Sequence, residues 1–166
     1  GATLNSASLE LYYFLYDISN PSGKTVWAYK LTRTDWVEGV TEVTSTSGAT
    51  WNDYKIIGET HYTWTAPGGD YVTSSPAGGS TTFPADYGWM TWNVLAIVQD
   101  AYDGSIAAEF LVKFATEGLA SDYTKAYWRS KEYSPQPKLV IDYTLLVELE
   151  NKSANMAAKM VAAGLL

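Results

Sequence analysis

Period-two alternation opens the chain: Ala7, Leu9, Leu11, Tyr13 and Leu15 interleave with Ser8, Glu10, Tyr12 and Phe14, the pattern of a strand with one aliphatic face. Asn20-Pro21-Ser22-Gly23 supplies turn chemistry, and alternation resumes from Thr25 to Leu31, with Trp27, Tyr29 and Leu31 on one side and Val26 and Ala28 on the other. These two runs read as an antiparallel pair. Residues 32–88 are rich in Thr, Ser, Gly and Asp with scattered aromatic residues, which predicts long loops with short strands. The breakers at 66–70 and 74–80 read as loops inside one domain, because neither flank is long enough to bury its own core.

From Trp92 to Gln99 the apolar spacing changes to three and four, which predicts a short helix with Asn93 as N-cap and Gly104 as its stop. Phe110, Val112 and Phe114 alternate with Leu111 and Lys113, and Leu139, Ile141 and Tyr143 with Val140 and Asp142; both read as core strands. After Leu145, Val147 and Leu149, the segment Asn151 to Gly164 returns to helical spacing, with Met156 above Met160 and Ala157 above Val161. A helix that short is not stable alone and must dock on its own domain or on a neighbouring copy. The expected fold is all-β: an antiparallel β-sandwich or jelly-roll over residues 1–144, with one short internal helix, and an extension over 145–166 made of a strand and a short C-terminal helix.

Composition narrows the function. The 166 residues hold 18 acidic and 11 basic side chains, a net charge of −7, one histidine and no cysteine. Disulfides, thiolate metal sites and a cysteine nucleophile are thereby excluded, as is a multi-histidine metal centre. With Arg33 and Arg129 as the arginines, there is no basic stripe to neutralise phosphates, so nucleic acid is not an expected partner. No stretch approaches the ~18 uninterrupted apolar residues of a membrane span, and the start Gly1-Ala2-Thr3-Leu4 reads as carrying no secretory signal.

Catalytic constellations are hard to assemble from these residues. His61 would have to serve any Ser-His-Asp set, yet no Gly-x-Ser-x-Gly elbow occurs, and it reads as a solvent-facing histidine. Carboxylate pairs for glycoside chemistry are numerous but unfixed by any motif, and Gly-rich phosphate loops are absent. Asp53, Asp70, Asp86, Asp100, Asp103 and Asp122 are placed in or beside turns; none follows EF-hand spacing, so turn capping is expected, without cofactor or metal, and a structural calcium ion is unsupported. The chain is expected not to be an enzyme. Thirteen Tyr and seven Trp remain, whose apolar faces match sugar rings but which in a sandwich of this size mostly plug the core.

Four stretches together resemble the DNRLRE-type domain, a β-jelly-roll related to carbohydrate-binding modules and to TGF-β-propeptide-like folds. The start Gly1-Ala2-Thr3-Leu4-Asn5-Ser6-Ala7-Ser8-Leu9-Glu10-Leu11-Tyr12 is similar to that family's "GATI-SA-L-LY" strand. Thr34-Asp35-Trp36-Val37-Glu38-Gly39, and after an insert Ala49-Thr50-Trp51-Asn52, resemble its "W-E" and "TWN" pair. Trp92-Asn93-Val94 to Val98-Gln99 resembles its "DVT-LVQ-W" element, and Trp128 to Glu132 with Pro135, Pro137 and Lys138 to Tyr143 resembles its closing strand. The resemblance implies opening strands ahead of "GAT" that this sequence lacks, so an earlier portion or another chain would supply them.

Two functions are expected. The first is a non-catalytic structural subunit of an extracellular assembly, such as a phage capsid decoration, fibre or tail protein or a surface filament, as a homo-oligomer or with other particle proteins. Its contacts would be strand and helix contacts through Leu145, Val147, Leu149, Met156, Met160 and Val161. The second, implied by the resemblance, is a polysaccharide-binding module, with Trp36, Glu38, Trp51, Trp64 and Asp70 as ligand contacts. An acidic polymer would need a local basic pocket, from Lys24, Lys30 and Arg33 or from Lys125, Arg129 and Lys131, against the net charge. Location would be extracellular, virion or cell surface.

Overall fold

The computed structural model describes residues 1–39, 47–74, 78–117 and 124–146. The chain folds as an all-β sandwich of antiparallel sheets with one helix among the described residues. Strands β1 (Ala2–Asp17), β6 (Gly88–Asn93), β8 (Lys125–Trp128) and β9 (Lys138–Leu145) form a four-stranded sheet centred on β1. Strands β2 (Thr25–Lys30), β5 (Gly79–Thr82) and β7 (Phe110–Phe114) form the opposing three-stranded sheet, in the order β5-β2-β7. A hairpin of β3 (Asp53–Ile57) and β4 (Thr60–Thr63) stands apart from both.

The two alternating runs at the start of the chain therefore do not pair. β1 and β2 fall in different sheets, and their small and aliphatic faces meet across the core: Ala7, Leu9 and Tyr13 from β1, Val26 and Ala28 from β2. Alternation alone marks a strand with one buried face, and it cannot say whether the next such strand lies beside it or opposite it. Trp92 ties the layers together, fully buried on β6 with its indole Nε1 donating to the Val26 carbonyl at 3.0 Å. Phe83, Met90, Val94, Ile97 and Val98 complete this core.

The predicted helix forms as α1 (Leu95–Gly104), later than the sequence suggests, because Trp92 and Asn93 still belong to β6. Asn93 contributes nonetheless: its side-chain oxygen accepts from the Leu95 N–H at 3.1 Å. The stop is also one residue on. Ser105, not Gly104, adopts the left-handed conformation (φ 52°), and the Ser105 and Ile106 N–H groups close on the Tyr102 and Ala101 carbonyls. Asp100 and Asp103 consequently lie on a helix rather than a turn, Asp100 ion-paired with Lys30 and Asp103 accepting from Gln99.

β8 and β9 occupy the same edge of β1 in succession. β8 lies opposite residues 13–17 and β9 opposite residues 2–10, with the intervening 129–137 segment looped out. Leu139 and Ile141 stand beside Leu9 and Ala7, on the core side of the sheet. Yet every residue of β9 is exposed, so the expectation of a second core strand there is corrected. At any level along β1 its sheet is at most three strands wide, as the opposing sheet is, yet no described strand of the opposing sheet covers the β9 flank.

Candidate functional site

Two surfaces carry more than solvated polar side chains. The first lies on the outer face of the β5-β2-β7 sheet and the loops beside it. Because Val26 and Ala28 turn inward, Trp27 and Tyr29 must turn outward, and their rings stack at 5.5 Å and 14°. Tyr71 continues the line at 4.6 Å from Tyr29, and Lys113 on β7 reaches over both Tyr71 (4.8 Å) and Trp51 (5.6 Å). Lys113 donates to the Tyr71 hydroxyl and pairs with Glu117 at 3.0 Å; burial opposes its charge, but these partners outweigh it and raise its pKa. Trp51 stacks over Gly68 (φ 92°), where a Cβ would come within 2.8 Å of the indole, so the close approach requires glycine.

Next to this row opens a cavity of about 700 Å³ lined by Thr32, Arg33, Asp35, Thr65, Asp70 and Tyr71. Its wall is a charge ladder. Arg33 bonds Asp70 (3.2 Å) and Asp35 (3.3 Å), Asp35 bonds Lys55 (3.2 Å), and the Arg33 guanidinium lies 4.1 Å from the Tyr54 ring centre. Lys55 sits over Tyr62 at 4.8 Å. Burial works to raise the Asp70 pKa, but the bonds from Arg33 and Thr65 prevail and hold it below the usual carboxylate range. Arg33 is raised in turn, chiefly by Asp70.

The five residues expected to meet a ligand are not gathered into one site. Trp51 is 54% exposed beside the cavity, and Asp70 lines it, although its carboxylate already serves Arg33 and Thr65. Trp36 is exposed and donates through Nε1 to Glu109 at 2.7 Å, while Glu38 is ion-paired with Lys131. Trp64 must be corrected: at 8% exposure, with its N–H bonded to the Thr50 carbonyl, it is the packing centre of the hairpin layer, and no ring can stack on it. Trp27, Tyr29, Tyr71 and Lys113 were missed as candidates. For Trp27 and Tyr29 the signal was present in the alternation, because they stand on the face of β2 opposite the fully buried Val26 and Ala28; Tyr71 and Lys113 join them only through tertiary contacts.

Among the basic residues, Lys30, Arg33, Lys125 and Lys131 each have a carboxylate partner. Arg129 instead lies over Phe14 (4.2 Å) and near Tyr133 (5.8 Å). His61 is on β4, its Nδ1 3.1 Å from Asp53, whose other side-chain partner is Thr50; Thr50 in turn accepts from the Asn52 and Asp53 N–H groups, so the arrangement clamps a turn. No group of three or more His, Asp or Glu among the described residues could hold a metal ion, and no helix among them is long and apolar enough to cross a membrane.

The second surface is the β9 flank. Leu139 (42% exposed), Ile141 (38%), Tyr143 (54%) and Leu145 (66%) form an apolar row on the core side, and Leu146, also exposed, follows the strand. Of the expected assembly residues, Leu145 is therefore exposed at the end of β9, paired with Ala2; Val147, Leu149, Met156, Met160, Val161 and the predicted C-terminal helix lie outside the described residues, as does Asp122. No family model, curated protein or solved structure matches the chain.

Proposed function

We propose that this protein is a non-catalytic structural subunit of an extracellular assembly, a particle or filament component held by inter-subunit contacts along β9 and the extension that follows it. The observation that carries this reading is the β9 flank. A strand whose side chains on the core side are Leu, Ile, Tyr and Leu, all at least 38% exposed, is an edge that soluble monomers ordinarily shorten, charge heavily or cover. Strand addition from another chain gives such an edge a use. Light scattering on the full chain over a range of concentrations, with and without a chelator, tests it: a discrete oligomer or polymer is expected, and a monomer at every concentration would overturn it.

The aromatic row supports a second reading, polysaccharide binding. Trp51 stands exposed beside a polar cavity that Tyr71 lines, a combination in which an aromatic ring would stack on C–H faces while Arg33, Asp35 and Thr65 meet hydroxyl groups. Trp51→Ala should abolish retention on a polysaccharide column at unchanged far-ultraviolet circular dichroism. Retention that survives the substitution dismisses the site.

A further inference from the structure

We infer that two copies of this chain join through their β9 strands, antiparallel, with the two-fold axis at Val140. The inference rests on the assembly reading and specifies its partner and its register. Among the described residues β9 pairs with β1 alone, so its other edge presents N–H and C=O groups to solvent. The only register shift in the β1–β9 ladder falls between Leu4 and Ser6 on β1, and β9 itself runs without a bulge from Lys138 to Leu145.

Sequence selects the register. A two-fold axis perpendicular to the sheet keeps both core faces on the same side, and it must pass through a residue, because a one-residue slip would turn one copy's apolar face outward. With the axis at Val140, Lys138 lies opposite Asp142 of the second copy, Leu139 opposite Ile141 of the second copy, and Val140 opposite Val140 of the second copy. Both charge pairs are complementary and every remaining pair is aliphatic. Moving the axis to 139 or 141 sets Val140 against Lys138 or Asp142. Moving it to 142 sets the two Asp142 carboxylates against each other. Pro137, which has no N–H, ends the ladder just before Lys138. The opposite charges thus favour this register over those centred on 139, 141 and 142.

The Asp142 carboxylate has no partner inside its own subunit among the described ion pairs and hydrogen bonds. Lys138 has only a 3.9 Å contact with Glu10 and the ring of Trp89 at 4.0 Å, and it is half exposed. Opposite side chains in an antiparallel pair have Cβ atoms roughly 4.5–5.5 Å apart, within reach of an ion pair and of a disulfide.

A chain without cysteine makes the test direct. Under mild oxidation of the full chain, Val140→Cys should cross-link to a covalent dimer by itself, whereas Leu139→Cys and Ile141→Cys should cross-link efficiently only when mixed. Lys138→Glu should weaken the dimer by about tenfold in Kd or more, and Lys138→Glu with Asp142→Lys should restore it. Those two residues are four apart on one strand, too far to rescue each other within a copy, which also separates the loss of the Glu10 and Trp89 contacts from the loss of the partner. Oligomers that form without the Val140→Cys cross-link and without rescue would overturn this register and leave the assembly reading standing. A monomer throughout, with β9 amides protected from hydrogen exchange, would overturn both.

Discussion

Tyr13 shows how a single atom can run against the packing around it. Its ring is 1% exposed and meets Phe83 and Tyr87 edge-on at 5.1 and 5.2 Å, as a core aromatic should. Its hydroxyl, however, is buried with no hydrogen-bond partner among the described residues, and burial, with help from Tyr87, raises its pKa. An unpaired buried hydroxyl costs about 1–3 kcal/mol, so Tyr13→Phe is expected to leave stability unchanged or raise it by about 1 kcal/mol. Urea unfolding checks this, and a clear loss would mean that the hydroxyl is bonded. Gly78 is the opposite case. It holds φ 96°, and a Cβ there would stand 1.8 Å from the Ala28 carbonyl oxygen and 2.9 Å from Ile97. Gly78→Ala should therefore cost about 3 kcal/mol, from left-handed backbone strain together with overpacking. What reads as a flexible breaker in the sequence is a packing contact between β2 and α1.

At the scale of elements, the Asp70 clamp joins the loop before the β3–β4 hairpin to the loop after it. Folding holds the Asp70 pKa below its unfolded value, so the unfolded chain binds more protons as the pH falls, and stability rises with pH through that window. The clamp is fully formed above the ordinary carboxylate range and is lost as the pH drops below it. Asp70→Asn should lower stability at pH 7 and flatten the acid side of a urea-midpoint against pH curve; a variant curve parallel to the parent would remove Asp70 from the acid response. The same elements show what the sequence could reveal. Strands β1, β2, β7 and β9 and the helix were visible because each needs only a local period, set by Val26 and Ala28 or by Ile97, Val98 and Ala101. Which strand lies opposite which was not, since β1 and β2 share no ladder and their layers are tied by tertiary contacts such as that of Trp92 on β6 to Val26 on β2. The exposure of Leu139 and Ile141 was hidden for a related reason: a period of two identifies the core-side face of a sheet, but whether another layer packs over that face is decided by tertiary structure. Among the candidate ligand residues Trp51 and Trp64 are both Trp in Thr-rich loops, and only the hairpin packing makes one exposed and the other buried.

For the whole molecule, the question is whether β9 alone can hold copies together. Stable interfaces bury roughly 1,200–2,000 Å², and an edge pairing over residues 138–142 falls short of that. Register and area must then come from different parts of the chain. The ladder about Val140 sets orientation, and the apolar row Leu139, Ile141, Tyr143 and Leu145 needs a second apolar surface to cover it. The segment from Asn151 to Gly164 follows directly and carries Met156, Met160, Ala157 and Val161 at helical spacing, the composition of a docking stripe. Replacing Met160 and Val161 by Asp should weaken assembly by more than tenfold in Kd, because two charges would enter an apolar contact. The described core, from Ala7 to Val98, is complete in itself, so the thermal unfolding of the resulting monomer should stay cooperative. Strand registry should also survive: Val140→Cys combined with the two Asp substitutions should still cross-link at high protein concentration, slowly. An unchanged molar mass by light scattering would remove the extension from the interface and leave the strand edge to account for assembly by itself.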